Sequence, residues 1–156
     1  MKYAKIVGYM AEMTKDYDFR NGEASFITAE LSSDEVVSDP ERIVAALTDV
    51  KIRDGVLYDL NKTENIKRAI THLENLTQAT YRDQLAPVAT VTAIAHWYVG
   101  NMDKVDEYLE IALDADHTYS LAGMIQFAIG VELTVDFWTA AVTELSREEV
   151  LTPIGV

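Results

Sequence analysis

A chain of 156 residues is long enough for one domain with a core of its own. Its 49% apolar content excludes a disordered chain, and the absence of Cys excludes disulfides and thiolate metal sites. A formal charge of −13, with no cluster of Lys or Arg, argues against direct contact with nucleic-acid phosphates and with anionic membranes.

In chain order, Tyr3, Ile6, Val7, Met10 and Tyr17 recur at three-and-four spacing and predict an amphipathic helix over about residues 2–16. The opening stretch is broken at Gly8 and followed by Glu12, so it lacks the apolar run of a secretory signal. Arg20-Asn21-Gly22 reads as a loop. Ala24 to Leu31 fits a helix face through Ala24, Ile27, Thr28 and Leu31, or a strand through Ser25 to Thr28. No strong second strand is at hand to pair with it, so helix is the reading adopted. Ser32 to Ser38 is polar and reads as a connection.

Asp39-Pro40-Glu41 is a helix start: an N-cap acid, Pro in the first turn, and a carboxylate near the positive end of the dipole. Ile43, Val44, Leu47 and Val50 supply its buried face. Gly55 interrupts the following pattern of Ile52, Val56, Leu57 and Leu60. Asn61 followed by Glu64 resembles a capping box, ahead of a helix with Ile66, Ala69, Ile70, Leu73 and Leu76 inward.

Leu85 to Ala122 carries the clearest architecture. Val88, Val91, Ala95, Tyr98 and Val99 belong to a helix apolar over most of its circumference, which predicts burial on all sides. Its apolar run is too short to span a membrane, and it contains Thr residues and His96. Gly100 suits the left-handed residue that ends a helix, and Asn101 opens the next. Met102, Val105, Tyr108, Leu109, Ala112 and Leu113 form the inner face of that second helix. Asp103, Glu107, Glu110 and Asp114 form its outer one. A further helix, from about Thr118, ends at Gly130. Thr134 caps the last one, with Phe137, Trp138, Ala141, Val142 and Leu145 expected inward. From Ser146 the tail reads as loose, and Pro153 stops further helix. The elements predict an all-α single domain of about seven to nine short helices.

The hairpin resembles a tetratricopeptide unit. Ala93 stands where that unit has a small residue, Gly100 at its turn, and Leu109 and Ala112 at its large-then-small pair. Val105, His96 and His117 depart from the pattern, and no second copy follows 34 residues away. The residues Gly100-Asn101, Ala112-Leu113, Asp116-His117 and Tyr119-Ser120-Leu121-Ala122 resemble a larger pattern. Thr48-Asp49-Val50-Lys51-Ile52-Arg53-Asp54 and Trp138 add to it. Together they are similar to the C-terminal region of an actinobacterial family, domain of unknown function 4192. The similarity runs from about Ser38 to Leu145. It leaves 1–37 as a helical segment without a family match and 146–156 as a tail. The family carries no established activity, so the resemblance implies a fold and no chemistry. It also implies a source among actinobacteria or their phages.

The candidate sites for chemistry read as structural. His72 reads as exposed, and His96, in the most buried helix, as a hydrogen-bonded core residue. Asp114-x-Asp116-His117 could be written as a metal cluster, but Asp116 is well placed as a helix cap. No phosphate loop, nucleophile elbow or His-Glu-x-x-His pattern is present. Arg53-Asp54 reads as an ion pair or a cap, and a functional reading would need a pocket beside it. No catalytic residue, metal ligand or cofactor is assigned. The candidate interaction surface is Asp103, Glu107, Glu110 and Asp114, whose like-charge pairs at i+3 and i+4 each cost an isolated helix about 0.2–0.5 kcal/mol; such a stripe serves solubility, which is the plainer reading, or meets a basic partner. The expected function is a non-catalytic, cytoplasmic protein-interaction domain. The alternative is an acidic inhibitor or DNA mimic acting on a host nucleic-acid enzyme; an enzyme of unknown class ranks third.

Overall fold

A computed structural model describes residues 17–152, and among these every regular element is helical. The nine α-helices are α1 (Tyr17–Ser32), α2 (Pro40–Ala46), α3 (Val50–Leu60), α4 (Ile66–Ala79), α5 (Leu85–Tyr98), α6 (Met102–Ala115), α7 (Ser120–Gly130), α8 (Val135–Thr143) and α9 (Arg147–Leu151). A single 3-10 turn, Arg82–Gln84, leads into α5. The helix expected over residues 2–16 lies outside the described residues.

Helix α5 is the centre. It buries Ala86 and everything from Val88 to Trp97, as its all-round apolar sequence requires. It packs against α4, α6, α3 and α7, while α1 closes the other side against α3, α4 and α9. Ile27, Leu47, Ile52, Leu73 and Ile94 are completely buried between these layers. Each contributes about 1.5–3 kcal/mol through loss of apolar surface from water.

The helix ends follow the sequence where a cap is unambiguous. Asp39 accepts from the Arg42 amide at 3.3 Å, with Pro40 in the first turn. Asp49 accepts from Ile52 at 2.9 Å, and Thr134 from Phe137 at 3.3 Å. At the end of α5, Gly100 takes φ +76°; its amide bonds Trp97 O and the Asn101 amide bonds His96 O. That pair of bonds is the Schellman ending. Asn101 does open α6, but its side chain makes no cap and lies 3.3 Å from His96 Nδ1.

Several expectations need correction. Arg20-Asn21-Gly22 is not a loop: α1 runs through it, with Arg20, Glu23, Ala24, Ile27 and Leu31 inward. Two of those inward residues are charged and paired across the core, Arg20 with Asp49 at 3.4 Å and Glu23 with Arg42. The helical period is therefore present but written partly in polar residues. Gly55 does not break α3, because it leaves room for Leu151 of α9. No capping box forms between Asn61 and Glu64, since α4 starts after Asn65. Met102 is exposed, not inward. Helix α8 buries none of its residues; Phe137 and Leu145 face solvent, and Trp138 and Val142 are half-buried. Arg147–Leu151, expected as part of a loose tail, forms α9, with a full capping box between Ser146 and Glu149 and with Val150 and Leu151 buried.

Candidate interaction surface

Helix α7 is a ridge with a groove on each flank. The first groove, about 540 Å³, lies between α6 and α7. Asp106, Leu109, Glu110, Leu113 and Asp114 form its α6 wall, and Gln126 and Ile129 its α7 wall. The α6 residues stand at i, i+3, i+4, i+7 and i+8, which is one continuous helix face. Leu109 is buried, Leu113 and Ile129 are half-buried, and the three acids are exposed. Helix α7 contains no charged residue, so the groove's charge comes from α6 alone and is negative.

Asp103, Glu107, Glu110 and Asp114 are all exposed on α6. The structure brings only Glu110 and Asp114 to the groove; Asp103 and Glu107 lie off its edge. Glu107 pairs with Lys104 at 3.1 Å, and Asp114 with Arg82 at 3.2 Å. Asp106 was missed as a site residue and does line the groove. Its i+4 relation to Glu110 was visible in the sequence, but the position of α7 was not. Among the described residues, neither Asp106 nor Glu110 has an ion-pair partner.

The second groove, about 420 Å³, is walled by α3, α7, α8 and α9. This is a pocket beside Arg53-Asp54. Leu57, Leu121, Met124, Trp138, Val142 and Leu145 make it chiefly apolar. Arg53 is buried beneath it. Its Nε and Nη2 donate to Asp54 Oδ1 at 2.9 and 2.7 Å, and its Nη1 to the Tyr119 hydroxyl at 2.9 Å. Burial works against the Arg53 charge, but Asp54 and Tyr119 outweigh it and raise its pKa above the usual range. The guanidinium thereby ties α3 to the start of α7. Beside it, Trp138 Nε1 donates to the Tyr98 hydroxyl, which donates to Leu57 O, each at 3.2 Å. Lys51, Glu149 and Val150 complete the lining, whose charged residues balance, two positive and two negative.

The histidines divide. His96 is buried, with Nε2 at 3.1 Å from Glu74 Oε2 and the Tyr108 ring stacked on it at 5.6 Å. It is the hydrogen-bonded core histidine expected. His72 is half-buried rather than exposed, with Nε2 donating to Ser33 O at 2.7 Å. His117 is exposed, and Asp116 does not cap α7, whose N-cap is Tyr119; it ends α6 and accepts from the Thr118 amide and hydroxyl at 3.0 and 2.6 Å, ordering the turn between the two helices. That hydroxyl bond, with the amide bond, lowers the Asp116 pKa. Among the described residues, no group of three or more His, Asp or Glu side chains is arranged to hold a metal.

Two tyrosines in this region are expected to set the alkaline limit of stability. Burial pushes both Tyr98 and Tyr108 up to about 12, with the Glu74 carboxylate adding to the effect at Tyr108. The unfolded chain releases these protons near pH 10 while the folded chain keeps them, so stability falls as pH rises from 10 to 12. The loss is on the order of 2 kcal/mol per tyrosine. Urea midpoints across that window should fall more steeply in the parent than in the Tyr98→Phe, Tyr108→Phe double variant. Equal slopes would mean that neither hydroxyl is held neutral.

Among the described residues, no helix is long and apolar enough to cross a membrane. No curated protein and no solved structure matches the chain. A domain of unknown function, DUF4192, does match, over residues 17–133. The match begins at α1, earlier than the Ser38 start of the sequence resemblance. It takes in Arg53, Tyr119 and both walls of the α6–α7 groove, and it stops before α8 and α9. The chain therefore belongs to the DUF4192 family.

Proposed function

We propose that the protein is a non-catalytic interaction module that binds another protein through the helical surface around α7. One observation carries this reading. Helix α7 is apolar around nearly its whole circumference, yet it buries only Leu121, Ala122 and Ile125. A helix of that composition is ordinarily enclosed by its own core. Here Phe127 is 70% exposed and Met124 56%, and Phe137 of the neighbouring α8 is 61% exposed. Met124 and Phe127, three residues apart, share one face of α7, and exposed apolar side chains that lie close together are the usual anchors of a protein partner.

The α5–α6 hairpin fits a tetratricopeptide-like scaffold for such a surface. Ala93 and Ala112 are fully buried, Leu109 nearly so, and Gly100 turns the chain with positive φ. We place the module in the cytoplasm, and its source among actinobacteria or their phages, as the family resemblance implies. The acidic DNA mimic fits less well, because the carboxylates follow one helix and flank an apolar floor instead of covering a face.

The test is affinity capture with the parent chain and a Phe127→Ser, Phe137→Ser variant as baits. Both residues are exposed, so the variant should fold. A partner retained by the parent and lost by the variant supports the reading. A partner held equally by both would remove Phe127 and Phe137 as its anchors.

A further inference from the structure

We infer that the α6–α7 groove receives a cationic amphipathic helix of a partner protein. This rests on the interaction reading above and adds the chemistry of the ligand. The groove wall on α6 interleaves acids and leucines: Asp106, Leu109, Glu110, Leu113, Asp114. A ligand complementary to that wall interleaves Lys or Arg with apolar residues at the same three-and-four spacing. Its apolar side chains meet Leu113 and Ile129, the two half-buried residues of the floor. Its cations meet Asp106 and Glu110, which have no ion-pair partner among the described residues. The long stems of Lys and Arg cover apolar floor while their charged ends reach the exposed carboxylates.

The dimensions agree with a helix in a groove. Asp106 and Asp114 are eight residues apart, so the wall is about 12 Å long, or roughly two helical turns. A helical ligand would present anchors at i, i+3 or i+4, and i+7 over that length. Among the described residues there is no sheet edge to which an extended strand could add. A second copy of this chain is a poor occupant, because at −13 net charge it would bring acids against acids. Asp114 already binds Arg82 through its carboxylate and its backbone carbonyl, so that end of the groove closes on the protein itself. The cationic contact is therefore centred on Asp106 and Glu110.

The experiment uses the full chain and three fluorescent peptides of about 15 residues, a length at which a helix can persist. One is an amphipathic Leu/Lys helix. The second has the same composition scrambled to destroy the face, and the third replaces Lys by Glu. The amphipathic Lys peptide should bind at least about tenfold more tightly than the scrambled one, and the Glu peptide should not bind measurably. Backbone amide shifts should cluster on Leu109, Leu113, Gln126 and Ile129. Asp106→Asn with Glu110→Gln, both at exposed positions, should flatten the salt dependence and weaken binding by less than about tenfold. Leu113→Ser with Ile129→Ser should cost more than that, with circular dichroism confirming the fold. Equal binding of the scrambled peptide would overturn the inference by reducing the contact to charge alone. Shifts confined to Met124, Phe127 and Phe137 would also overturn it. That last result would leave the interaction reading standing, which fails separately if the Phe127 and Phe137 variant keeps its partner.

Discussion

Leu151→Ala is expected to lower stability by about 2–5 kcal/mol, the range for a large side chain removed from a packed core. The residue ends a five-residue helix, yet it is completely buried. The reason lies in α3. A Cβ built on Gly55 would fall 2.6 Å from Leu151 Cδ2 and 3.3 Å from the Cβ of Ala24. Glycine inside a helix costs about 0.5–1 kcal/mol relative to alanine. Here it opens a slot through which Leu151 reaches the core, and that burial exceeds the cost. Arg147 fixes the approach: its Nε and Nη2 donate to the two Asp59 carboxylate oxygens at 2.9 and 3.1 Å, and it also bonds Asn21 and Ser25. Gly55→Ala alone should destabilise, whereas in a Leu151→Ala background it should be neutral or favourable. A double-mutant cycle on urea midpoints reads that coupling directly. Unchanged stability in Leu151→Ala would mean that α9 does not dock.

The second large effect is expected at the α5–α6 hairpin. Ala93 has no exposed surface, so Ala93→Leu should overpack the interface and cost about 1–3 kcal/mol. Gly100→Val should cost more than about 1 kcal/mol for a different reason. Nothing lies within 4 Å of a Cβ built there, so the penalty comes wholly from the backbone φ of +76°. Gly100→Asn, which tolerates that conformation, should be milder. Unchanged denaturant midpoints in Ala93→Leu and Gly100→Val would mean that the helices do not meet in this way.

The all-α class and the hairpin were legible because α4, α5 and α6 write their periods in apolar residues, and because Asp39, Gly100 and Thr134 are unambiguous punctuation. The loop expected at residues 20–22 is helix because Arg20 and Glu23 hold inward positions that a hydrophobicity pattern assigns to solvent; their partners are Asp49, the cap of α3, and Arg42 on α2. Gly55 and Leu151 could be understood only together, and they are distant in sequence. Helix α8 was misplaced for the opposite reason. Its apolar face is real, but no element of the described residues covers it fully, so pattern alone cannot distinguish a core face from a surface one. The same limit governs the site. The acids of α6 were visible, whereas the groove required knowing that uncharged α7 lies beside Asp106 and Glu110. The pocket beside Arg53 required four helices to converge.

On the proposed reading, apolar anchors hold the partner and the acidic row guides it. The measurement that tests this most directly is the association and dissociation kinetics of the captured partner. They should be compared for the parent chain and for a variant with Asp103→Asn, Glu107→Gln, Glu110→Gln and Asp114→Asn. All four residues are exposed, so the variant should keep its fold. A modest loss of affinity is expected, expressed as slower association at low salt, with dissociation little changed. Collapse of binding, with the partner proving to be a DNA-binding protein whose DNA competes for the same surface, would contradict it and establish the acidic mimic instead.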